Sequence, residues 1–463
     1  MAYNRIWILV ACLALAVPSL IEAQTWPAHF VKRCGTEFCY GDSTFYFAGT
    51  NVYDFFTFGN GYSDETDSAI EAGYIDKARI DAHMQRMANA GVSLVRLWVF
   101  SHEEWNGFEP QKGVFHEAQL KLIDYVLESA KKNRIFLIPT LENYWEAYGG
   151  IDKRLSWEGV QNGHPGRWRF FNKQICPGCF DQYKNYTRYV LNHVNHYSNV
   201  AYKDEKVIFA WDLMNEPRYQ DASAEENASG ETLRAWVDTM ARFIKTIDAN
   251  HMVHAGIEGH EQRYGFGGNE GNPFIYLQQS EWVDFTSAHP YPTEGWAALN
   301  IAQTQTLISR WIADSHDSCK KPFFMGEFNM HNNNQYGTRT QWWQAVFGTL
   351  EQSGGNGSAF WWFPDRNNDP NFGVSESNPE MAVFKQHCQR MKAKCKPYVS
   401  SVSPNSRCAT PIAPSIYRTM LLLSGKKTFS GDAVLFSITG ARIQKQSGTG
   451  VVIVERRKGR VRR

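Results

Sequence analysis

Val207-Ile208-Phe209-Ala210-Trp211-Asp212-Leu213-Met214-Asn215-Glu216-Pro217-Arg218 opens as a short apolar run rich in β-formers and stops on an Asn-Glu pair. Such a run fits a strand covered on both faces, as in a parallel sheet flanked by helices. Pro217 has no backbone N–H and biases Glu216 away from helical geometry, which ends the strand there. An amide and a carboxylate are thus delivered side by side at the carboxyl end of a core strand. In α/β barrels that end carries the chemistry. Taken alone, the pair would also fit a polar cap on a following turn.

The same pattern repeats in both directions along the chain. Strand-like segments fall at 45–51, 93–100, 135–141, 207–215, 252–257, 285–289, 323–327 and 358–363. Between them lie amphipathic stretches at 75–90, 118–133, 182–196, 233–249, 304–315 and 339–351. Strands alternating with helices predict an α/β fold with a parallel sheet closed into a (β/α)8 TIM barrel. The open doubly wound alternative lacks its glycine fingerprint after the first strand. No Pro/Ser-rich linker divides the middle of the chain, so one catalytic domain over 24–398 is expected. It exceeds the ~250 residues typical of a barrel and therefore carries long loops.

Residues 1–23 read as a secretory leader: Arg5 supplies the positive segment, Ile6 to Val17 a short apolar core and Ala23 a small residue before Gln24. The apolar core is too short to span a bilayer, which points to an exported, extracellular protein with no membrane partner. Cys12 leaves with the leader. The other eight cysteines suit disulfides in an oxidising compartment, with Cys34/Cys39 and Cys176/Cys179 expected to bridge locally. Cys319, Cys388, Cys395 and Cys408 cannot be paired from sequence. Cys176-Pro-Gly-Cys179 also fits a redox or zinc motif, but it lacks a second CxxC and follows no βαβ start. Asn185-Tyr186-Thr187, Asn227-Ala228-Ser229 and Asn356-Gly357-Ser358 are glycosylation sequons in a eukaryotic host. The extension 399–463 is basic: from Ala409 onward, eleven Lys and Arg face only Asp432 and Glu455, so the rest of a chain of net charge +1 is acidic. An acidic body argues against nucleic acid as a partner, and the extension reads as solvated or disordered.

A second apolar strand, Pro322-Phe323-Phe324-Met325, runs through Gly326 into Glu327. Gly326 lets other groups approach closely. Glu216 and Glu327 close strands four and seven, which face each other across a barrel mouth. Retaining glycosidases need two carboxyl groups roughly 5–5.5 Å apart, one as nucleophile and one as acid/base. The octapeptide from Trp211 to Arg218, together with Gly326-Glu327-Phe328, resembles glycoside hydrolase family 5, and more narrowly its endo-β-1,4-mannanases, over about residues 30–397.

That resemblance implies Glu216 as acid/base and Glu327 as nucleophile. Repulsion from Glu327 is expected to help keep Glu216 protonated. Arg96 would hold Glu327 charged, Asn215 would bind the sugar 2-hydroxyl, Tyr291 would touch the nucleophile and His289 would lie near Glu216. Trp361 would form a platform under the sugar, with Trp362 alternating away from the mouth. Relatives acting on cellulose carry a His after strand three; this chain has Asn143 and Trp145 there, as mannanases do, and Trp98 beside Arg96 points the same way. A monomer is expected to act on β-mannan without cofactor or metal. The alternatives are a β-1,4-glucanase and an inactive carbohydrate-binding barrel. No zinc-protease motif, nucleophile elbow or P-loop is present.

Overall fold

The computed structural model describes residues 26–59, 73–105, 107–332, 335–366 and 369–398. The chain divides into two units, 1–399 and 400–463, and every described residue belongs to the first. The leader, Cys408 and the basic extension lie outside the described residues.

Eight parallel strands form the barrel: Phe47–Asn51, Leu94–Trp98, Phe136–Thr140, Ala210–Asp212, Met252–His254, Thr286–Ala288, Phe323–Met325 and Gly357–Phe360. Neighbours pair in the order five-four-three-two-one-eight-seven-six. The seam between five and six is bridged by Asp284 N donating to Val253 O at 2.8 Å and His289 N donating to Glu258 O at 2.9 Å. In addition, the Asp284 carboxylate accepts from Val253 N at 2.8 Å. The ring is therefore nearly closed, and this is the TIM barrel predicted from the alternation.

Helices Lys77–Ala90, Glu117–Asn133, Pro177–Asn192, Glu231–Ile247, Ile301–Asp317 and Arg339–Gln352 match the amphipathic stretches. The third starts five residues earlier than its periodicity suggested, because Pro177 fits the first turn, where its missing N–H costs nothing. A further helix, Glu380–Ala393, follows strand eight and places Phe384 on Phe360 at 5.0 Å.

The bottom of the barrel is plugged by a hairpin absent from the sequence reading. Val31–Cys34 and Glu37–Tyr40 pair antiparallel, and the Cys34–Cys39 disulfide ties them together. Phe38 points up into the start of the strands, with its ring 5.1 Å from Phe209, 5.2 Å from Phe285 and 5.7 Å from Phe47. Cys176 and Cys179 form the second disulfide; Cys319, Cys388 and Cys395 are free thiols. No helix among the described residues is long and apolar enough to cross a membrane.

Candidate active site

The upper end of the barrel opens into a cleft of about 690 Å³. Its wall takes Trp98 from strand two, Asn143 and Trp145 from the turn after strand three, Asn215 and Glu216 after strand four, His289 and Tyr291 after strand six, Glu327 after strand seven and Trp361 after strand eight. Arg96 lies beneath them, fully buried.

The end of strand four is built by its neighbours on both sides. Regular pairing stops at Asp212, yet Asn215 N still donates to Glu142 O on one side at 2.8 Å and Glu216 N to Gly256 O on the other at 2.9 Å. Glu216 sits at φ 53, a left-handed conformation uncommon for a residue with a side chain. Its two bracing neighbours hold it there. Gly256 makes the approach possible, since a Cβ at that position would stand 1.9 Å from Met214 O. Gly326 plays a similar part on strand seven: a Cβ there would lie 2.7 Å from His289 Nε2.

Arg96 organises the floor of the site. Its Nε donates to Asp212 at 2.8 Å, Nη1 to Glu327 Oε1 at 2.7 Å and Asn51 Oδ1 at 3.1 Å, and Nη2 to Asn215 Oδ1 at 2.8 Å. A buried guanidinium is tolerable only when paired and hydrogen-bonded in this way. The other oxygen of Glu327 accepts from Tyr291 Oη at 2.6 Å. Glu216 Oε1 faces His289 Nδ1 at 2.9 Å, and Oε2 accepts from Trp145 Nε1 at 2.7 Å. Asn215 Nδ2 donates to Asn143 Oδ1 at 3.1 Å. One oxygen of each carboxylate and a His289 nitrogen lie within 4.8 Å of one another.

These neighbours reverse the expected electrostatic order. Burial acts to raise the Glu216 carboxyl, but His289, Arg218 and the Trp145 N–H outweigh it and hold the group down at about 2. Glu327 is raised above the usual carboxylate range, first by burial and then by the Glu216 charge, against His289, Arg96 and Tyr291. The expectation that Glu327 keeps Glu216 protonated overlooked the imidazole beside Glu216.

After strand eight, Trp361 stacks on Tyr53 with ring centres 5.1 Å apart and planes within 8°. Trp362 does not line the cleft; it also packs on Tyr53, at 4.8 Å, and its Nε1 donates to Asp369 at 3.0 Å. The strand ladder ends at Phe360, so strand alternation no longer governs these two rings.

A sequence model of the family described as GH family 5 beta-mannosidase-like matches residues 28–365. The chain belongs to glycoside hydrolase family 5. Among its relatives, the putative mannan endo-1,4-beta-mannosidase 9 of Oryza sativa subsp. japonica is 31% identical over 366 residues, which cover 76% of this chain and 85% of that protein. Mannan endo-1,4-beta-mannosidase 4 of Solanum lycopersicum is 30% identical over 354 residues, covering 72% and 83%. The crystal structure of the endo-1,4-beta-mannanase from Rhizomucor miehei superposes with a TM-score of 0.66 at 28% identity, covering 79% of this chain and all of that one.

Several residues of this family 5 site escaped the sequence reading. Asp212 was quoted but not recognised, although a carboxylate inside an apolar strand signals a buried partner. Tyr53 follows strand one and gave no motif. Glu258, His260 and Glu270 surround Arg218, whose Nε lies 2.5 Å from Glu258 and whose Nη1 meets Glu270. The Arg218 guanidinium also lies over the Trp145 ring, 4.9 Å from its centroid. A cation could be ligated by Glu216, His289 and Glu327 or by Glu258, His260 and Glu270, but in both clusters a guanidinium already supplies positive charge. Arg167-Trp168-Arg169-Phe170-Phe171, in the long loop after strand three, contributes no lining residue to the cleft. Phe170 and Phe171 join the core, and Arg167 pins the long loop to Asp152 at 2.7 Å and to Glu146.

Proposed function

We propose that this glycoside hydrolase is a secreted endo-β-1,4-mannanase that cleaves mannan, glucomannan and galactomannan with retention of anomeric configuration. Residues 1–23 would be its leader, 24–398 its catalytic domain and 399–463 an extension. The close approach of the two carboxylates, within 4.8 Å at their nearest, carries the retaining reading. Inverting enzymes hold the pair ~6.5–9.5 Å apart to admit a water. The mannan reading is supported by the names of the plant relatives and by Asn143 and Trp145 after strand three.

In this mechanism a sugar stacks on Trp361 with its anomeric carbon above Glu327. Arg96 and Tyr291 hold the attacking carboxylate in line and stabilise its charge. Glu327 bonds to the anomeric carbon as the glycosidic C–O bond breaks, and the departing oxygen takes a proton from Glu216. His289 Nδ1, 2.9 Å from Glu216 Oε1, orients the carboxyl that gives up this proton. Glu216 then deprotonates the water that releases the sugar from Glu327. Asn215, fixed by Arg96 and Asn143, keeps one amide hydrogen for the 2-hydroxyl.

Reducing-sugar release from mannan and from soluble cellulose under matched conditions tests the substrate, and faster release from cellulose would overturn it. Glu327→Ala should abolish hydrolysis of both mannan and activated aryl mannosides. Glu216→Ala should lose mannan hydrolysis but retain attack on an aryl mannoside whose leaving group needs no proton; loss of both activities would remove the acid/base assignment.

A further inference from the structure

The three glycosylation sequons fare differently in the fold. Asn356 is fully buried and its amide fully engaged. Its Oδ1 accepts from Phe323 N at 2.8 Å and faces His316 Nε2 at 3.1 Å; its Nδ2 donates to Thr36 O at 3.1 Å and Glu37 Oε2 at 2.8 Å. A sugar on that nitrogen would break the join between the bottom hairpin and strand seven, so the expectation that this sequon is usable fails. Asn227, in the short helix Ala224–Ser229, is half-buried with its Oδ1 sealed from solvent. Asn185 stands exposed on helix Pro177–Asn192. Its Oδ1 accepts from Arg188 at 3.0 Å, and no described residue takes its Nδ2.

Asn185 also forms part of the wall of a groove of about 620 Å³ on the outside of the barrel. Tyr189, one helical turn further on and so on the same face, lies in this wall and stacks on Phe115 at 4.4 Å with planes within 13°. The Tyr189 hydroxyl is fixed by Glu117 at 2.8 Å. The groove thus joins a sequon to an ordered, partly exposed aromatic pair. It shares no lining residue with the catalytic cleft.

We propose that Asn185 carries an N-linked oligosaccharide whose first N-acetylglucosamine lies in this groove against Tyr189 and Phe115. The C–H face of a pyranose packs on aromatic rings, and one end of the sugar stays wet, as this half-open groove requires. The bond forms when Asn185 Nδ2 displaces the lipid diphosphate from the anomeric carbon of a lipid-linked oligosaccharide. The new N–C bond replaces the C–O bond to phosphate, the lipid diphosphate leaves, and the amide proton passes to a base of the host transferase. The proposal rests on the export reading of residues 1–23.

The test uses the full chain made in yeast twice, once with its own leader and once with residues 1–23 replaced by a host secretory leader. Failure of the first form alone to reach the medium would count against the leader and leave Asn185 to be judged on the second. Peptide mass mapping of secreted protein should find N-acetylhexosamine at Asn185 and none at Asn356. A bare Asn185 or a modified Asn356 would overturn the proposal. Trimming with an endoglycosidase that leaves one N-acetylglucosamine should not change the melting temperature. Removing the whole glycan with a peptide amidase should lower it by about 2 °C, as should Asn185→Gln, with hydrolysis unchanged throughout. Equal melting of all forms would overturn the packing of the first sugar in the groove.

Discussion

Replacing Tyr291 by Phe removes one of the donors that hold the Glu327 carboxylate ionised. A hydrogen bond to a charged group contributes about 1.5 kcal/mol, and one pKa unit corresponds to about 1.4 kcal/mol. Glu327 is raised above the ordinary 4.5, so the ionised form that the proposed mechanism needs is lost as pH falls through that raised value. Tyr291→Phe should therefore move the acid limb of kcat/KM upward by about 1 pH unit. An unmoved limb would show that another group sets it. At this scale the sequence was legible where a side chain closes a strand: Asn215, Glu216 and Glu327 declare themselves by interrupting apolar runs. It was illegible where a residue acts through a partner distant in sequence. Nothing in Trp145 hints that its N–H lies on Glu216, and nothing in His289 foretells that it would reverse the order of the two carboxyls.

Elements depend on approaches that only particular residues permit. Gly256 has φ +77 and faces the Met214 carbonyl, so Gly256→Ala would meet both an unfavourable backbone conformation and a backbone clash. We expect a loss of at least about 2 kcal/mol in denaturant unfolding, with hydrolysis reduced in the protein that remains folded because Glu216 N bonds the Gly256 carbonyl. A second dependence joins helices Glu117–Asn133 and Pro177–Asn192 through His193, between Asp124 at 3.0 Å and Glu117 at 3.2 Å. Burial opposes its charge, but the two carboxylates prevail and raise it to about 9. A raised histidine contributes fully below its unfolded value near 6.5 and loses that contribution as pH rises through about 9. Unfolding free energy should decline across that window, and His193→Gln should flatten the decline.

Period and β-former content made the barrel strands readable, because each is buried on both faces. The bottom hairpin was not readable: Lys32 and Arg33 are exposed, while Val31, Phe38 and Cys39 are buried, so over two four-residue strands no periodic signal arises. The strands also proved shorter than their apolar runs, since residues such as Leu213 to Asn215 keep apolar or polar burial after the regular ladder ends.

For the molecule as a whole, every lining residue of the cleft among the described residues lies between Trp98 and Phe372. Truncation after Tyr398 should therefore leave mannan hydrolysis and melting temperature unchanged; a lost activity would assign the extension a part in the site.

The last described residues return to the segment just after the bottom hairpin. Thr44 N donates to Lys396 O at 2.8 Å and Tyr398 N to Asp42 O at 2.8 Å, beneath the barrel and away from its mouth. Beginning and end of the catalytic body thus share one small area of surface. A circularly permuted chain, with a short linker from Tyr398 to Trp26, whose ring packs 4.8 Å from Phe136 at the start of strand three, and with new termini cut in an outer loop, would keep every strand neighbour it now has. For the same reason, a solid support or a fused partner attached at that base would leave the substrate face turned outward.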